Sequence, residues 1–595
     1  MLWSSVLLLC AVHPFAAPAT SNAKGLSSRW DAIGTKHSWV EVPQNWQRKT
    51  AAPANHVFNM RIGLKQHGIE ELVENLMEIS DPMHARYTEH LTKEQTESFM
   101  APHPDSIPTV NDWLKFHGID PSTIQRSAAG DWLTLPVSVA KAERMLNTKY
   151  HIYEHTLSGK QVVRALSYSL PRELHSHIDV ITPTTYFGSV RSMKKTSFVE
   201  PSRSKPAVSS DAGQLNSYTT VPASCNNTIN PGCLRALYGT SSYMPSAKGV
   251  NKICVAGFLD EFANRADLQA FLYNYRPDAV NFTFTTVSVN QGGDDQTEPG
   301  IEANLDIQYT TSLTYPTPNI YYSTGGSPPF NPDSSTPNNT NEPHLDLLDY
   351  LLSQKTLPQT LTASYGENEQ TVPRDYAIKV CNMIAALTAR GTTVFYSSGD
   401  YGVGDGDCKN NDGTNTTAFQ PAFPASCPYV TAVGSTYHVN PEVGIDFSGG
   451  GFSRYFDMPS YQKKAVDAYL GAIGPDKYKG LFNRAGRAYP DVSAQGNNFE
   501  VIVGGRVVPV GGTSASAPTV ASIFSLLNDY RISKGKKPLG FINPLIYSLA
   551  AGSGFADITS GTNPGCNTTG FSAREGWDPV TGLGTPKFKA LKGLI

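Results

Sequence analysis

The chain has 595 residues, too many for one compact core, and a composition of 39% hydrophobic and 17% charged residues is that of an ordinary globular protein. A formal net charge of −3 gives no excess of positive charge for a polyanion, so no nucleic-acid partner is expected. The eight cysteines include no Cys-x-x-Cys or Cys/His spacing, which excludes a zinc or redox site of that kind.

The chain begins with a short apolar run, MLWSSVLLLCAV, followed by small residues at Ala16, Ala17 and Ala19. This pattern is typical of a secretory signal peptide, which we predict over residues 1–19. No later segment holds about 18 uninterrupted apolar residues, so no membrane anchor is expected. Five Asn-x-Ser/Thr sequons fit the secretory route: Asn226, Asn281, Asn338, Asn415 and Asn567. We expect a secreted, extracellular, glycosylated monomer, with an acidic vacuole or lysosome as the alternative destination.

Within residues 20–190, the stretch from about His56 to Phe187 alternates between two kinds of pattern. HVFNMRIGL is strand-like, and in IEELVENLMEISD the apolar residues recur with a period near 3.6. An α+β domain is therefore predicted. The composition then changes over 191–217, which is rich in Ser, Pro and Lys and predicts an exposed, cleavable linker.

Residues 218–595 contain short buried runs, including KICVAGFLD, QTLTASYG, GTTVFYSSGD, SCPYVTAVGST and VIVGGRVVPVGG. Helical patterns such as YAIKVCNMIAALTARG separate them. Buried strands that alternate with helices predict an α/β domain with a parallel β-sheet flanked by helices.

Seven cysteines remain after Cys10. Cys225 and Cys233 lie eight apart in a Pro/Asn/Gly loop and are predicted to form a disulfide. Cys408 could pair with either Cys427 or Cys566, and spacing does not choose between them.

The most specific motif is GGTSASAP, residues 511–518, which leads into the apolar helix TVASIFSLLNDY. A glycine turn that delivers a serine to a helix N-terminus places its hydroxyl where backbone N–H groups stabilise negative charge. Ser514 is therefore the candidate nucleophile. Beyond residue 200 only His344 and His438 could serve as its base, and neither is followed by Gly-Thr, so a carboxylate base is predicted instead.

Glu302 and Asp306 lie four apart in PGIEANLDIQY. On a helix this spacing places the two carboxylates on one face, roughly 5–6 Å apart at Cβ, so that one proton is shared and one pKa is raised. Asp400 follows the apolar strand TTVFY in YSSGDYG, at the strand end where open α/β sheets build sites. Each motif alone has an ordinary structural interpretation, as an acidic helix face or a turn aspartate.

Together, in this order, these motifs resemble the sedolisin family of serine-carboxyl peptidases. SDPMHARYTEHLT also resembles the propeptide motif of kumamolisin-type precursors and tripeptidyl peptidases, and SGGGFS and YPDVSA extend the similarity. The resemblance implies a subtilisin-like peptidase domain preceded by a ferredoxin-like activation propeptide, which acts as intramolecular inhibitor and chaperone. It implies that Ser514 attacks the peptide carbonyl, Glu302 transfers the proton, Asp306 orients Glu302, and a protonated Asp400 binds the oxyanion.

The resemblance also implies one structural calcium ion. Its ligands would be side-chain oxygens of Asp557 and Asp578 and backbone oxygens of Ile558, Arg574 and Gly576. Carboxylates and turn carbonyls are hard oxygen ligands that suit this ion.

We thus predict an enzyme that acts on peptides and proteins in acid, releasing tripeptides from free N-termini. The alternatives are an acid endopeptidase of the same family and, from another class, a catalytically dead binding protein of the same fold. Most of the 14 histidines precede residue 200, His84 and His90 among them. We hypothesise that acid charges this segment and weakens its hold on the peptidase domain.

Overall fold

A computed structural model describes residues 29–39, 42, 46–155, 161–185, 197–199, 205–206, 220–247, 249–325, 343–410, 414–548 and 553–595. The predicted signal peptide lies outside these ranges, and of the predicted linker only 197–199 and 205–206 lie within them. Of the helices in the described ranges, none combines the length and apolar character needed to cross a membrane.

The N-terminal part of the chain forms an α+β domain. Its strands are β1 (Ile33–Ser38), β2 (Trp46–Ala51), β3 (Val57–Leu64), β4 (Gln125–Arg126), β5 (Trp132–Ser138), β6 (His151–His155), β7 (Gln161–Arg164), β8 (Ser167–Pro171) and β9 (Ile178–Thr182). Its helices are α1 (Ile69–Ser80), α2 (Lys93–Met100), α3 (Ser106–Phe116) and α4 (Val139–Leu146).

The central sheet of this domain has the strand order β4-β5-β3-β9, and all neighbours are antiparallel. Helices α1 to α3 connect β3 to β4, and α4 lies between β5 and β9. This order and these crossovers are ferredoxin-like, as predicted. The core between sheet and helices contains Met60, Ile62, Trp113, Leu133 and Met145, so the apolar positions of the sequence patterns are the buried ones.

The C-terminal part forms the α/β domain. Its strands, with two from the linker, are β10 (Phe198–Val199), β11 (Lys205–Pro206), β12 (Ile253–Gly257), β13 (Thr285–Val289), β14 (Asn319–Thr324), β15 (Thr360–Ala363), β16 (Glu367–Asn368), β17 (Thr393–Ser397), β18 (Ala422–Phe423), β19 (Thr431–Tyr437), β20 (Val443–Gly444), β21 (Gly451–Asp457), β22 (Gly486–Tyr489), β23 (Val492–Gln495), β24 (Phe499–Val503), β25 (Arg506–Gly511), β26 (Phe555–Ala556) and β27 (Thr585–Pro586). Its helices are α5 (Pro231–Leu237), α6 (Arg265–Tyr275), α7 (Ile301–Thr314), α8 (His344–Ser353), α9 (Arg374–Ala389), α10 (Ser460–Ile473), α11 (Thr513–Ser533), α12 (Asn543–Ser548) and α13 (Phe588–Leu594).

The main sheet has the order β13-β14-β12-β15-β17-β19, with β23 also beside β19, and these pairs are parallel. Strands β12, β15 and β17 are buried throughout, which explains their continuous apolar sequence patterns. The predicted parallel sheet with flanking helices is confirmed.

One predicted buried run differs from this pattern. VIVGGRVVPV forms the antiparallel hairpin β24–β25 in a separate sheet. Gly504 and Gly505 form its turn with φ of +58° and +72°, the two positive values that a tight two-residue hairpin turn requires. The hairpin matters because β25 leads directly into Ser514.

The two domains meet along α1 and α9. Leu72, Leu76 and Ile79 of α1 belong to the same apolar cluster as Val380 and Ile384 of α9. At the side of this contact, the Lys379 ammonium donates a hydrogen bond to the Leu64 carbonyl at 2.7 Å and lies 3.5 Å from Asp131. The N-terminal domain therefore packs on a helix of the C-terminal domain through an apolar face, with a buried charge beside it.

His90 makes a second contact between the domains. Its Nε2 donates to the Pro538 carbonyl at 2.9 Å, and its ring lies between two glycines. A Cβ on Gly391 or Gly540 would come within 2.7 Å or 2.6 Å of ring atoms, and both glycines have positive φ. The two glycines thus form a socket that larger residues would close.

Three disulfides are present in the described residues: Cys225–Cys233, Cys381–Cys427 and Cys408–Cys566. The first was predicted. The structure resolves the open choice for Cys408 in favour of Cys566, because Cys427 pairs with Cys381, and Cys254 is a buried free thiol.

Candidate active site

Glu302 and Asp306 lie on α7, which begins after Gly300 and is buried from Glu302 to Thr314. The two carboxyl groups are 0% and 1% exposed, so the acidic pair does not form a solvated helix face. Glu302 lies in the first turn, where the helix dipole favours a negative charge. The four-residue spacing, predicted to place both carboxyl groups on one helix face, therefore produces a pair that is also buried.

Ser514 lies in the first turn of α11 and is fully buried. Gly512 precedes the helix with φ of +137°, a backbone conformation that suits glycine. The helix contains Pro518, which has no N–H to donate to the carbonyl four residues earlier. That carbonyl belongs to Ser514, and it accepts a hydrogen bond from the Ser364 hydroxyl at 3.3 Å.

Ser364 connects Ser514 to the carboxyl pair. Its hydroxyl lies 2.8 Å from Asp306 Oδ1, while its carbonyl accepts a hydrogen bond from Ser514 Oγ at 3.2 Å. Ser364 directly follows β15, in TASYG, at the same edge of the sheet as the end of β17. Sequence reasoning missed it, although its position at the end of a buried strand was the available signal.

Asp400 follows β17 and lies beside the turn that precedes Ser514. Its Oδ1 accepts hydrogen bonds from the Thr513 backbone N–H at 2.7 Å and from the Thr513 hydroxyl at 2.8 Å. Its Oδ2 is buried without a hydrogen-bond partner in the described residues. A protonated Oδ2 would be a donor available to a negative oxygen near Ser514.

Burial sets the protonation of these acids. It raises the pKa of Asp306 well above the ordinary value, and the neighbouring charge of Glu302 adds to this effect. Burial also raises the pKa of Asp400 well above its ordinary value, although the hydrogen bonds from Thr513 oppose the rise. Both carboxyl groups therefore hold protons under conditions in which exposed aspartates are ionised.

Glu302 is in contact with the linker. The Ser197 hydroxyl donates a hydrogen bond to Glu302 Oε2 at 2.5 Å, and Ser197 is buried. The following residues of β10 pair with β25, the strand before Ser514. The site thus contains a segment of its own chain, which sequence reasoning placed in an exposed linker.

The two histidines beyond residue 200 have other surroundings. The ring of His344 lies 3.3 Å from the Tyr396 hydroxyl and packs edge-on to Phe258. The ring of His438 lies 4.2 Å from that of Tyr437, at an angle of 36°. None of these contacts involves Ser514.

The predicted calcium ligands come together at the C-terminal end of the chain. The Gly576 N–H donates to Asp557 Oδ2 at 2.8 Å, and the Arg574 N–H donates to Asp578 Oδ2 at 3.0 Å. Ile558 follows Asp557 directly. Asp578 is fully buried, and no cluster of three or more His, Cys, Asp or Glu occurs in the described residues. Two carboxyl groups with turn carbonyls form an oxygen-only set, which fits calcium.

The fold and the cluster around Ser514 define a serine-type peptidase that carries an activation domain. Residues 44–187 match the model described as the pro-kumamolisin activation domain. The chain is 38% identical to probable tripeptidyl-peptidase SED2 of Trichophyton verrucosum over 94% of this chain and 96% of that protein. It is 37% identical to tripeptidyl-peptidase SED2 of Arthroderma otae over 98% of this chain and 100% of that protein.

The chain therefore belongs to the sedolisin family, alongside members named tripeptidyl-peptidases. Among solved structures it is similar to Pseudomonas sedolisin, a serine-carboxyl proteinase, with a TM-score of 0.47 and 22% identity over 62% of this chain and 98% of that one.

Proposed function

We propose that this protein is a secreted peptidase that acts in acid, is made as a self-processing zymogen, and releases tripeptides from free N-termini. The names of its relatives support the tripeptidyl specificity. The observation that carries the chemistry is the buried arrangement in which Ser364 connects Ser514 to Asp306.

The first step is attack by the Ser514 oxygen on the peptide carbonyl carbon. As the new C–O bond forms, the hydroxyl proton passes to Glu302. When the C–N bond breaks, Glu302 gives that proton to the leaving amine, and water then hydrolyses the acyl-enzyme by the same proton transfers in reverse order. Asp306, held by Ser364 at 2.8 Å, orients Glu302.

Asp400 supplies the oxyanion donor. Its raised pKa keeps the carboxyl group protonated, so Oδ2 can donate to the oxygen that becomes negative in the transition state. A carboxyl group can donate only while it holds its proton, so activity is present below the pKa of Asp400 and is lost as the pH rises through it.

We assign residues 1–19 to a signal peptide, 20–190 to the activation propeptide, 191–217 to the cleavable linker and 218–595 to the peptidase domain. The apolar contact between α1 and α9 supports the role of the propeptide as an intramolecular partner. The sequon residues Asn226, Asn281, Asn415 and Asn567 are exposed, as glycosylation requires, and Asn338 lies outside the described residues. Secretion to the extracellular space fits these features.

One structural calcium ion completes the proposal. Asp557 and Asp578 would hold it by side-chain oxygens, and Ile558, Arg574 and Gly576 by backbone oxygens. When bound, the ion would neutralise the two carboxyl groups and join the loops that carry them.

Hydrolysis of a peptide with a free N-terminus, compared with its N-acetylated twin, tests the function from about pH 3 to about pH 8. The acid-matured protein and Ser514→Ala, expressed in parallel, are compared. Acid activity that is lost in Ser514→Ala and on acetylation supports a tripeptidyl peptidase. Indifference to acetylation means an endopeptidase, and no activity at any pH means a binding protein.

A further inference from the structure

The segment Ser197–Val199 binds along the edge of the site as an extended strand. Phe198 lies opposite Gly511 and Val199 opposite Val510, in antiparallel pairing with β25. Gly511 is three residues before Ser514. Backbone pairing along an exposed strand is a common way to bind an extended peptide, so the linker occupies the position of a peptide chain beside the nucleophile.

The contact with Glu302 gives this peptide its register. In the proposed mechanism Glu302 passes its proton to the nitrogen of the residue that follows the broken bond. The residue whose side chain contacts Glu302 therefore stands first on the leaving side. That residue is Ser197, whose hydroxyl lies 2.5 Å from Glu302 Oε2, and Phe198 is consequently second.

The second position faces an aromatic ring. The rings of Phe198 and Phe447 are 5.2 Å apart and nearly perpendicular, at 85°. The Phe447 carbonyl accepts a hydrogen bond from the Gly402 N–H at 3.0 Å, which ties it to the turn that follows Asp400. Phe447 also lines a cavity of about 380 Å³ whose wall includes Tyr401.

We propose that Phe447 is a specificity-determining residue, which forms the subsite for the second residue on the leaving side and favours an aromatic side chain there. The assignment rests on the proposed function, because the proton transfer by Glu302 decides which residue is first on the leaving side. Edge-to-face aromatic pairs add attraction beyond the area that they bury. Substrates with phenylalanine as their fifth residue would therefore place it where Phe198 lies in the precursor.

Matched hexapeptides with free N-termini test this subsite. They differ only at residue five, which is Phe or Ala, and a tripeptide anilide serves as a substrate whose leaving group lacks that position. In the wild type, kcat/KM is expected to be about three- to tenfold higher for the Phe peptide. In Phe447→Ala the ratio falls to about one, while anilide hydrolysis stays within about twofold. Tyr273→Ala, which removes a tyrosine ring that is 69% exposed, is the control.

A Phe/Ala ratio of kcat/KM that persists in Phe447→Ala overturns the proposal. An equal loss of kcat/KM for the anilide also overturns it, because Phe447 would then support the catalytic centre and not a subsite. If Phe447→Ala does not fold, Phe447→Leu keeps an apolar side chain without the ring and must still lower the ratio. Product mapping by mass spectrometry separates this test from the proposed function. If the peptide is not cut after residue three, the tripeptidyl specificity is wrong. The preference for Phe over Ala is then measured at the second residue after the bond that is cut.

The precursor gives a second, independent measurement. The register predicts that the first cut creates a new N-terminus at Ser197. In a precursor with Phe447, Phe198→Ala is expected to slow this cut about three- to tenfold. In a precursor that already carries Phe447→Ala, it should not slow the cut further, because the contact between the two rings is already lost. A first product that begins elsewhere, or additive effects, overturns the register.

Discussion

Replacing His90 by glutamine is expected to make the hold of the propeptide on the peptidase domain less sensitive to acid. In the complex the pKa of His90 is lowered from 6.5 to about 4, mainly by burial, with smaller contributions from the positive charges of Lys537 and Arg531. The hydrogen bond to the Pro538 carbonyl opposes this shift. Nδ1 is buried without a hydrogen-bond partner in the described residues, so the proton that would charge the ring has no acceptor.

The lowered pKa of His90 determines how the affinity between the two domains changes with pH. A released His90 regains a pKa near 6.5 and binds protons that the complex excludes, so association is fully retained above about pH 6.5 and weakens as the pH falls toward about 4. The difference between 6.5 and about 4, at about 1.4 kcal/mol for each unit, amounts to about 3.5 kcal/mol, or roughly 300-fold once the pH is well below 4. Glutamine can still donate to the Pro538 carbonyl but does not titrate.

Hydrogen exchange of full-length Ser514→Ala precursors measures this opening. The Leu91 amide, which donates to the Ala389 carbonyl at 2.8 Å, reports on the contact. Its protection, corrected for intrinsic exchange, should fall roughly 80-fold between about pH 6.5 and about pH 4, and much less in His90→Gln. His84→Gln, from the same motif, is the control. Equal pH dependence in the His90 and His90→Gln precursors would refute the argument, because His90 would then not be the group that responds to acid.

Three further changes test the site. Asp400→Asn should lower kcat by about 10²–10³ because the hydrogen-bond donor to the oxyanion is altered. Activity of the variant should no longer fall at alkaline pH, where deprotonation of Asp400 limits the wild type. A pH–rate profile with the same alkaline decrease as the wild type would contradict this role. Ser364→Ala should lower kcat about tenfold or more with little change in KM, since it frees Asp306, and steady-state kinetics that show only a KM effect would argue against it. Adding calcium at about 100 times its Kd should stabilise the protein by about 2.7 kcal/mol in thermal unfolding, and Asp578→Asn should abolish that gain; an equal gain in the variant would place the ion elsewhere.

The sequence was sufficient for the features that depend on local spacing. The four-residue interval between Glu302 and Asp306, the glycine turn before Ser514 and the strand before Asp400 are local signals, and the structure brings all four residues into one buried region. The buried strands of the main sheet were also recognised, because their apolar runs are continuous.

The remaining features depend on contacts between distant parts of the chain. Ser364 reaches Ser514 across 150 positions and Ser197 reaches Glu302 across 105, and no spacing rule predicts such pairs. The partner of Cys408 required knowledge of the fold for the same reason. The histidine hypothesis concerned a whole segment, and from the structure we select His90 for the first test because its ring lies between Gly391 and Gly540 of the other domain.

The placement of the disulfides has a consequence for maturation. All six paired cysteines lie beyond residue 220, and the sequence has no cysteine between Cys10 and Cys225. In the proposed zymogen the uncut linker would hold the two domains at the high effective concentration of a tethered pair. If the linker is cut as proposed, no disulfide would join the domains, and dilution would separate them. Activation would then be irreversible in practice, and no reductant would be needed to complete it.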